Sequence, residues 1–231
     1  RRLAHEIKNP LTPIQLSAER LEMKLTGKLP EAEEAVLAKS VRTIVDQVDA
    51  MKRLVNEFRD YARLPAAELH PLDLNALVTD VLQLYGSENA TVPVAVELDP
   101  RCPPVAGDAQ QLRQVVHNLL QNAQDATEEA ARKGQVPAEP VHISTHWSES
   151  SRRVRLTVSD RGSGFAPNIL QRALEPYVTT KSGGTGLGLA VVKKIADEHG
   201  ARVDLVNRME NGKVQGAQVS LSFAPERKVA S

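Results

Sequence analysis

The first quarter of the chain carries apolar residues at alternating steps of four and three along two stretches, which is typical of helices packed along a narrow seam. The seam positions are Ile7, Leu11, Ile14, Ala18, Leu21 and Leu25 in the first stretch, and Leu37, Val41, Ile44, Val48, Met51, Val55 and Phe58 in the second. Between them lies Gly27-Lys28-Leu29-Pro30, whose glycine and proline end one helix and allow the next to begin. The pattern predicts a helical hairpin.

A lone hairpin of two narrow apolar stripes buries its seam along one side only. We therefore expect a second copy of the chain to pack against the first and form a dimeric four-helix bundle. The alternative is a hairpin that covers its seam with its own second domain. A mass measurement in solution distinguishes these two arrangements.

The pattern changes at Leu64-Pro65-Ala66-Ala67, with a further proline at Pro71, and this break predicts domains at 1–66 and 67–231. Beyond it, helical periodicity alternates with strand-like periodicity. Helices are expected at 74–84, 109–131 and 186–199, and strands at 91–97, 141–147, 153–158, 202–207 and 214–223. The expected fold is therefore multi-domain (α + α/β): the hairpin, followed by an α+β sandwich with helices on one face of a largely antiparallel sheet.

The charge balance excludes recognition that depends on a strong overall field. Lys plus Arg number 29 and Asp plus Glu also number 29, so nothing favours a nucleic acid or an anionic membrane surface as partner. The single cysteine, Cys102, cannot form an intramolecular disulfide, which fits a reducing compartment. No apolar run of about 18 residues is present, so we expect no membrane contact by this stretch. Because Arg1 already lies in a helical pattern, we expect a fragment of a longer protein.

The first helix begins with His5-Glu6-Ile7-Lys8-Asn9-Pro10. His5 is rotated by about 200° from the seam position two residues later, so its imidazole should face solvent. Glu6 can accept a hydrogen bond from one ring nitrogen and leave a lone pair on the other, and Asn9 lies on the same helix face. On the residues alone, an exposed His beside a Glu is more often a solvated helix face than a nucleophile.

Two polar segments of the second domain could bind a nucleotide. Asn118, Asn122 and Asp125 share one helix face, where oxygen donors suit Mg²⁺ together with phosphates, although a merely polar face is the alternative. The segment from Asp160 to Gly164 follows a predicted strand. Its carboxylate could accept from an exocyclic amine while the glycines admit a flat ring, although such residues also form ordinary turns.

A third segment, Gly183-Gly184-Thr185-Gly186-Leu187-Gly188, leads into a predicted helix. Flexible glycines and unpaired amides at a helix start form a cradle for phosphates. A Walker A loop is excluded because the required Lys-Ser or Lys-Thr pair is missing, and the dinucleotide fingerprint is excluded because Leu189 stands at its third glycine position.

Five segments resemble, in order along the chain, the H, N, G1, F and G2 boxes of bacterial sensor histidine kinases. They are the His5 segment, Asn118 to Asp125, Asp160 to Gly164, Glu175 to Lys181 and Gly184 to Gly188. The extension from Thr12 to Leu21 is similar to nitrogen-regulation sensors of the NtrY type. The resemblance covers residues 1 to about 225. One departure is Tyr177-Val178, where the F box commonly carries two phenylalanines.

The resemblance implies a GHKL-type (Bergerat) ATP-binding domain and assigns roles to individual residues. His5 would be the phosphoacceptor, Glu6 an assisting base, and Asn9 a residue that positions water for dephosphorylation of the partner. Asp160 would read adenine, Asn122 would bind Mg²⁺, and Lys181 would steer the γ-phosphate. The full set implied to hold ATP is Asn118, Asn122, Asp125, Asp160, Gly162, Gly164, Thr180, Lys181, Gly184, Thr185, Gly186, Leu187 and Gly188.

By the same resemblance, phosphorylated His5 would donate to an aspartate on the receiver domain of a response regulator. The fragment would be a cytoplasmic homodimer, and the full-length protein would be anchored in the bacterial inner membrane. Two other functions stay open. One is an ATPase of the same superfamily that drives a conformational clamp without phosphotransfer, and the other is a signalling adaptor with a silent nucleotide site.

Overall fold

The computed structural model describes residues 2–62, 64–85, 92–134, 139–179 and 184–226, and in residues 2–9, 60, 84 and 85 it describes the backbone alone. The described residues form two compact units. The first comprises the described part of residues 1–64 together with Gly184 and Thr185, and the second comprises the rest from Pro65 onward. Among the described residues, none of the helices combines the length and apolar character needed to cross a bilayer.

The first unit is the predicted hairpin of α1 (Arg2–Leu25) and α2 (Glu31–Ala62). Gly27, at φ +77°, lies in the turn between them. Of the seam positions whose side chains are described, alternate ones are buried within one hairpin, namely Leu11, Ala18, Val41, Val48 and Val55. The intervening seam positions stay exposed at 40 to 55%, namely Ile14, Leu21, Ile44, Met51 and Phe58. One hairpin therefore buries about half of its apolar seam.

The second unit begins with β1 (His70–Leu72), α3 (Leu74–Tyr85), β2 (Val94–Leu98), β3 (Val105–Gly107) and α4 (Ala109–Arg132). It continues with β4 (Val141–Ser148), β5 (Arg153–Ser159), α5 (Pro167–Leu170), α6 (Gly188–Glu198), β6 (Arg202–Glu210) and β7 (Lys213–Phe223). The main sheet has the order β2-β4-β5-β7-β6, in which β2 runs parallel to β4 and the other pairs are antiparallel.

The core of this unit lies between the sheet and the helices. Alternate residues of the central strands are buried, for example Ile143, Leu156 and Leu221, while α4 buries Leu119 and Leu120 against them. This period of two arises because successive side chains of a strand point to opposite faces of the sheet. The predicted α+β sandwich, with helices on one face, is confirmed.

Three short elements were missed from the sequence: β1, β3 and α5. β1 and β3 pair antiparallel and span three residues each, too few for periodicity to show. Pro71, interpreted as part of the boundary, lies inside β1. Strand β6 also extends three residues beyond its predicted end at Asn207, and α6 begins at Gly188 rather than Gly186.

The beginning of α4 fastens the segment that opens the second unit. The side chain of Asp108 is the N-cap of α4 and accepts from the amides of Gln110 and Gln111 at 2.9 and 3.1 Å. Its other oxygen accepts from the amide of Glu68 at 3.1 Å, and Gln111 Nε2 donates to the carbonyl of Pro65 at 2.8 Å. Asp108 thus stabilises both a helix end and the entering chain.

Candidate functional site

The site is organised along one face of α4. Asn118, Asn122 and Ala126 lie on successive turns of this helix, four residues apart. Asn118 Nδ2 donates to the carbonyl of Gly188 at 3.4 Å, and a Cβ atom on Gly188 would lie 3.2 Å from Asn122 Nδ2. A Cβ on Gly162 would lie 2.8 Å from Ala126 Cβ. The helix face therefore brings the start of α6 and the turn after β5 to neighbouring positions.

Asp160 follows the end of β5 and is 8% exposed. Its Oδ1 accepts from the amides of Gly162 at 2.7 Å and Ala217 at 3.1 Å, and its own amide donates to the carbonyl of Ala217 at 3.0 Å. These bonds hold the carboxylate in one orientation, because rotation of the side chain would leave buried donors unpaired. A fixed, nearly buried acceptor is suited to recognise an amine on a flat ring.

The segment before α6 contacts the region of the F box. Gly186 has φ +70°, and its carbonyl accepts from the amide of Tyr177 at 3.0 Å. A Cβ on Gly186 would lie 2.6 Å from the carbonyl carbon of Tyr177, so no larger residue fits there. Leu187 is fully buried and precedes the first residue of α6, Gly188. The buried leucine anchors this helix start, whose first amides lack intrahelical partners.

The structure brings most of the predicted ATP-binding residues of the second unit together. Those in this group are Asn118, Asn122, Asp160, Gly162, Gly164, Gly186, Leu187 and Gly188. Asp125 lies on the same helix, and its Oδ1 accepts from Gln121 Nε2 at 2.8 Å.

The remaining predicted site residues belong to the other unit or are not fully described. Gly184 and Thr185 belong to the compact unit of the hairpin. Thr180 and Lys181 lie outside the described residues. The backbones of His5, Glu6 and Asn9 are helical within α1, and their side chains lie outside the described part of the chain.

Four residues that were not predicted from the sequence shape the turn carrying Asp160: Asn207, Arg208, Gly216 and Ala217. Gly216, at φ +118°, had a detectable signal, because an isolated glycine in a strand pattern indicates a bulge or a close backbone approach. A Cβ on Gly216 would overlap the carbonyl oxygen of Asp160. Nothing in the local sequence distinguishes the other three.

Arg161, within the same turn, is neutralised by two carboxylates. Its Nη1 lies 2.7 Å from Glu210 Oε2, and its Nε lies 2.9 Å from Glu139 Oε2. The hydrogen bond that Arg161 donates to Glu210 is the main cause of the raised pKa of Arg161. The guanidinium therefore braces the turn between the segment that precedes β4 and the last residue of β6.

Comparison with known proteins agrees with this geometry. Residues 1–67 match the model of the His Kinase A (phospho-acceptor) domain, and residues 107–227 match that of the histidine kinase-, DNA gyrase B- and HSP90-like ATPase. The chain is 36% identical over 230 residues to the nitrogen regulation protein NtrY of Azorhizobium caulinodans, covering 98% of this chain and 28% of that protein. It is 32% identical over 209 residues to the sensory histidine kinase/phosphatase NtrB of Rhodobacter capsulatus, covering 85% and 54%.

Among solved structures, full-length ShkA in complex with AMPPNP superposes with a TM-score of 0.65 at 27% identity, covering 97% of this chain and 45% of that one. The chain thus spans only part of the relatives that it matches. Both domain models, the relatives and the fold point to the same assignment. The chain belongs to the histidine kinase family and comprises its phospho-acceptor domain and its ATPase domain.

Proposed function

We propose that this chain is the catalytic core of a sensor histidine kinase, which transfers the γ-phosphate of ATP to its own His5 and then to an aspartate on a response regulator. The observation that carries the proposal is the face of α4 on which Asn118 and Asn122 meet Gly188 while Ala126 meets Gly162. A phosphate-binding helix start and a base-binding turn are thereby held at opposite ends of one rigid surface.

The adenine base binds at the turn after β5. Asp160 accepts a hydrogen bond from the exocyclic amine of adenine, and its carboxylate is already oriented by the amides of Gly162 and Ala217. Preorientation lowers the entropic cost of binding, since the acceptor does not need to be ordered on contact with the base. Gly162 and Gly164 carry no side chain, so the backbone can approach the ring closely.

The phosphates bind at the start of α6. The first amides of a helix have no intrahelical partners, and together with the positive end of the helix dipole they favour anions there. Asn118 binds at this end of the nucleotide, and Asp125 completes the polar face of α4. The residues proposed to contribute are Thr180, Lys181, Gly184, Thr185, Gly186, Leu187 and Gly188, and the role proposed for Lys181 is to steer the γ-phosphate.

Magnesium is the expected cofactor, and the available donors fit it. Among the described residues, no group of three or more His, Cys, Asp or Glu side chains could hold a metal ion. Mg²⁺ needs few protein ligands because it retains water and binds substrate phosphates. The amide oxygen of Asn122 would hold it beside Gly188, and the ion would offset the negative charge of the transferring phosphoryl group.

His5 acts as the nucleophile. The lone pair of one imidazole nitrogen attacks the γ-phosphorus, the bond from that phosphorus to the bridging oxygen breaks, and ADP leaves with the bonding electron pair. Glu6 accepts the proton of the other ring nitrogen in a hydrogen bond and so stabilises the imidazolium. In the second step, a carboxylate oxygen of a receiver-domain aspartate attacks the phosphorus, the bond from phosphorus to nitrogen breaks, and the imidazole of His5 leaves with the bonding electron pair.

The hairpin is proposed to form a homodimer. The exposed seam positions Ile14, Leu21, Ile44, Met51 and Phe58 recur at the spacing of one helix face and are left uncovered within the hairpin. Burying such a stripe is favourable at roughly 25 cal/mol per Å² of apolar surface. A second hairpin packed on this stripe completes a four-helix bundle.

Two further roles are proposed for the longer protein. Asn9 positions water for dephosphorylation of the response regulator, and the relative NtrB is itself named a kinase/phosphatase. Anchoring of the full-length protein in the bacterial inner membrane, with this core in the cytoplasm, stays a prediction from family resemblance.

The test is labelling of the full chain with γ-labelled ATP and magnesium. We expect acid-labile label on the wild-type chain and on His142→Gln, a matched control because His142 is exposed on β4. His5→Gln should bind ATP normally and take up no label. Label that persists on His5→Gln, or that survives acid, would refute the assignment of His5.

The alternative function is a conformational clamp driven by ATP hydrolysis. Proteins of that kind usually place an acidic residue where Asn118 stands, because water must be activated there. An amide cannot act as that base. Steady release of ADP without any phosphoprotein would favour the clamp over the kinase.

A further inference from the structure

The turn at residues 160–165, here called the adenine turn, is fastened by side chains from a different part of the chain. Its two ends are Asp160 and Phe165, and both are bonded to β6. No motif of the nucleotide site includes these β6 residues.

A bulge in the β6–β7 pair makes this possible. Asn207 pairs with Ala217 and Met209 pairs with Val214, so two residues of β7 stand opposite Arg208 alone. Consecutive strand residues normally point to opposite faces, and a bulge disrupts the ladder and increases the local twist of the pair. Here Asn207 and Arg208, although adjacent, both reach the adenine turn.

Asn207 satisfies both backbone groups of Phe165. Its Oδ1 accepts from the amide of Phe165 at 2.8 Å, and its Nδ2 donates to the carbonyl of Phe165 at 2.7 Å. The side-chain amide of Asn207 thus makes the two hydrogen bonds to Phe165 that the backbone of a neighbouring strand would otherwise make. At the other end of the turn, Arg208 Nη1 donates to the carbonyl of Asp160 at 3.0 Å.

Two glycines allow this close approach. Gly216, in the bulge, would overlap the carbonyl of Asp160 if it carried a Cβ. Gly164 has φ +67°, and a Cβ added there would overlap Val214 Cγ1 and lie 2.8 Å from Asn207 Oδ1. The adenine turn is therefore packed against β6 and β7, and its shape depends on these two strands.

We propose that Asn207 is a positioning residue that sets the affinity and base preference of the nucleotide site by holding the adenine turn in its binding shape. The inference rests on the proposed function, since it concerns the base read by Asp160. Without Asn207, the amide and carbonyl of Phe165 lose their partners and the turn relaxes to find others. That movement alters the region around Asp160 and leaves the start of α6 in place.

The expected effect is therefore on binding rather than on the rate of phosphoryl transfer. The phosphates are held by α4 and α6, and neither helix bonds to Asn207. A variant at this position should bind ATP weakly, yet transfer the phosphoryl group at the normal rate once saturated. It should also discriminate less between adenine and guanine, because the acceptor for the exocyclic amine is no longer fixed.

The experiment compares Asn207→Ala and Asn207→Asp with the control Asp204→Asn, whose side chain is exposed on the same strand. Calorimetric titrations with ATP and GTP are combined with labelling at varied ATP concentration. For Asn207→Ala we expect the Kd and KM for ATP to rise about tenfold or more, kcat to stay within about twofold, and the preference for ATP over GTP to shrink. Asn207→Asp retains the acceptor for Phe165 and should fall between wild type and Asn207→Ala.

The outcomes distinguish the inference about Asn207 from the proposed kinase function. An Asn207→Ala chain with unchanged KM and a smaller labelled fraction has merely lost folded protein, and that result overturns the inference. An unchanged ratio of ATP to GTP affinity overturns it as well. ATP binding by the wild-type chain without labelling refutes the kinase proposal alone, whereas absence of ATP binding refutes both.

Discussion

Gly162→Ala places a methyl group against the backbone of α4. The added Cβ would lie 2.8 Å from Ala126 Cβ and 3.0 Å from both the carbonyl carbon and oxygen of Ala126. Non-bonded carbon atoms pack at roughly 3.5–4.0 Å, so the turn must move away by about 0.5–1 Å because a buried helix backbone cannot yield. Overpacking of this kind costs about 1–3 kcal/mol.

The movement should weaken ATP binding. The amide of Gly162 donates to Asp160 Oδ1 at 2.7 Å, so displacement of the turn disturbs the carboxylate proposed to read adenine. We expect the affinity for ATP to fall about tenfold or more, at about 1.4 kcal/mol per factor of ten. Calorimetric titration with magnesium-ATP measures it, with thermal unfolding to establish that the variant is folded.

Ala126→Gly supplies the matched control. Alone it should lower helix stability by about 1 kcal/mol and leave ATP affinity unchanged. Combined with Gly162→Ala it removes the contact between the two Cβ atoms, so part of the lost affinity should return. A folded Gly162→Ala chain that binds ATP as the wild type does would show that this turn lies outside the nucleotide site.

Three further perturbations test other parts of the molecule. Ile44→Glu places a charge on the exposed seam and should give monomers in a mass measurement. Val36→Glu, a control at an exposed position outside the seam, should leave the dimer intact. A dimeric Ile44→Glu chain would place the interface elsewhere. Hydrogen bonds from Arg101 hold the pKa of Asp99 well below its usual range, so the stability that Asp99 contributes is present above about pH 4 and is lost as pH falls through its folded pKa. Thermal unfolding of Asp99→Asn should therefore vary less with pH in acid than that of the wild type, and an equal slope would contradict this. Asp108→Ala removes the N-cap of α4 and should cost about 1 kcal/mol, lowering Tm by about 2–4 °C, whereas Asp108→Asn, which retains a capping oxygen, should cost clearly less.

The hairpin shows what periodicity can and cannot reveal. The steps of four and three predicted both helices, because apolar spacing follows directly from the helical repeat. The same spacing treated Leu11 and Ile14 as equivalent seam residues. In the fold Leu11 is buried within the hairpin and Ile14 is 47% exposed, a difference that arises from the rotation of one helix against the other.

The proposed nucleotide site also contains residues that the sequence predicted and residues that it did not. Asn122, Asp160 and Gly188 could be predicted as site residues because each belongs to a short segment of distinctive residue types in a fixed order. Asn207 was missed because an asparagine in a strand has no signal of its own. Its role depends on a bulge in β7 and on the path of a turn more than forty residues earlier in the chain.

Local residue order was sufficient to recognise the family, the helical hairpin and the glycine segments, because helix periodicity and short motifs involve residues close in sequence. Which seam positions stay uncovered, and which side chains hold the adenine turn, followed from contacts between distant segments. Such contacts are set when strands and helices pack around a common core, and a one-dimensional pattern carries no record of that packing.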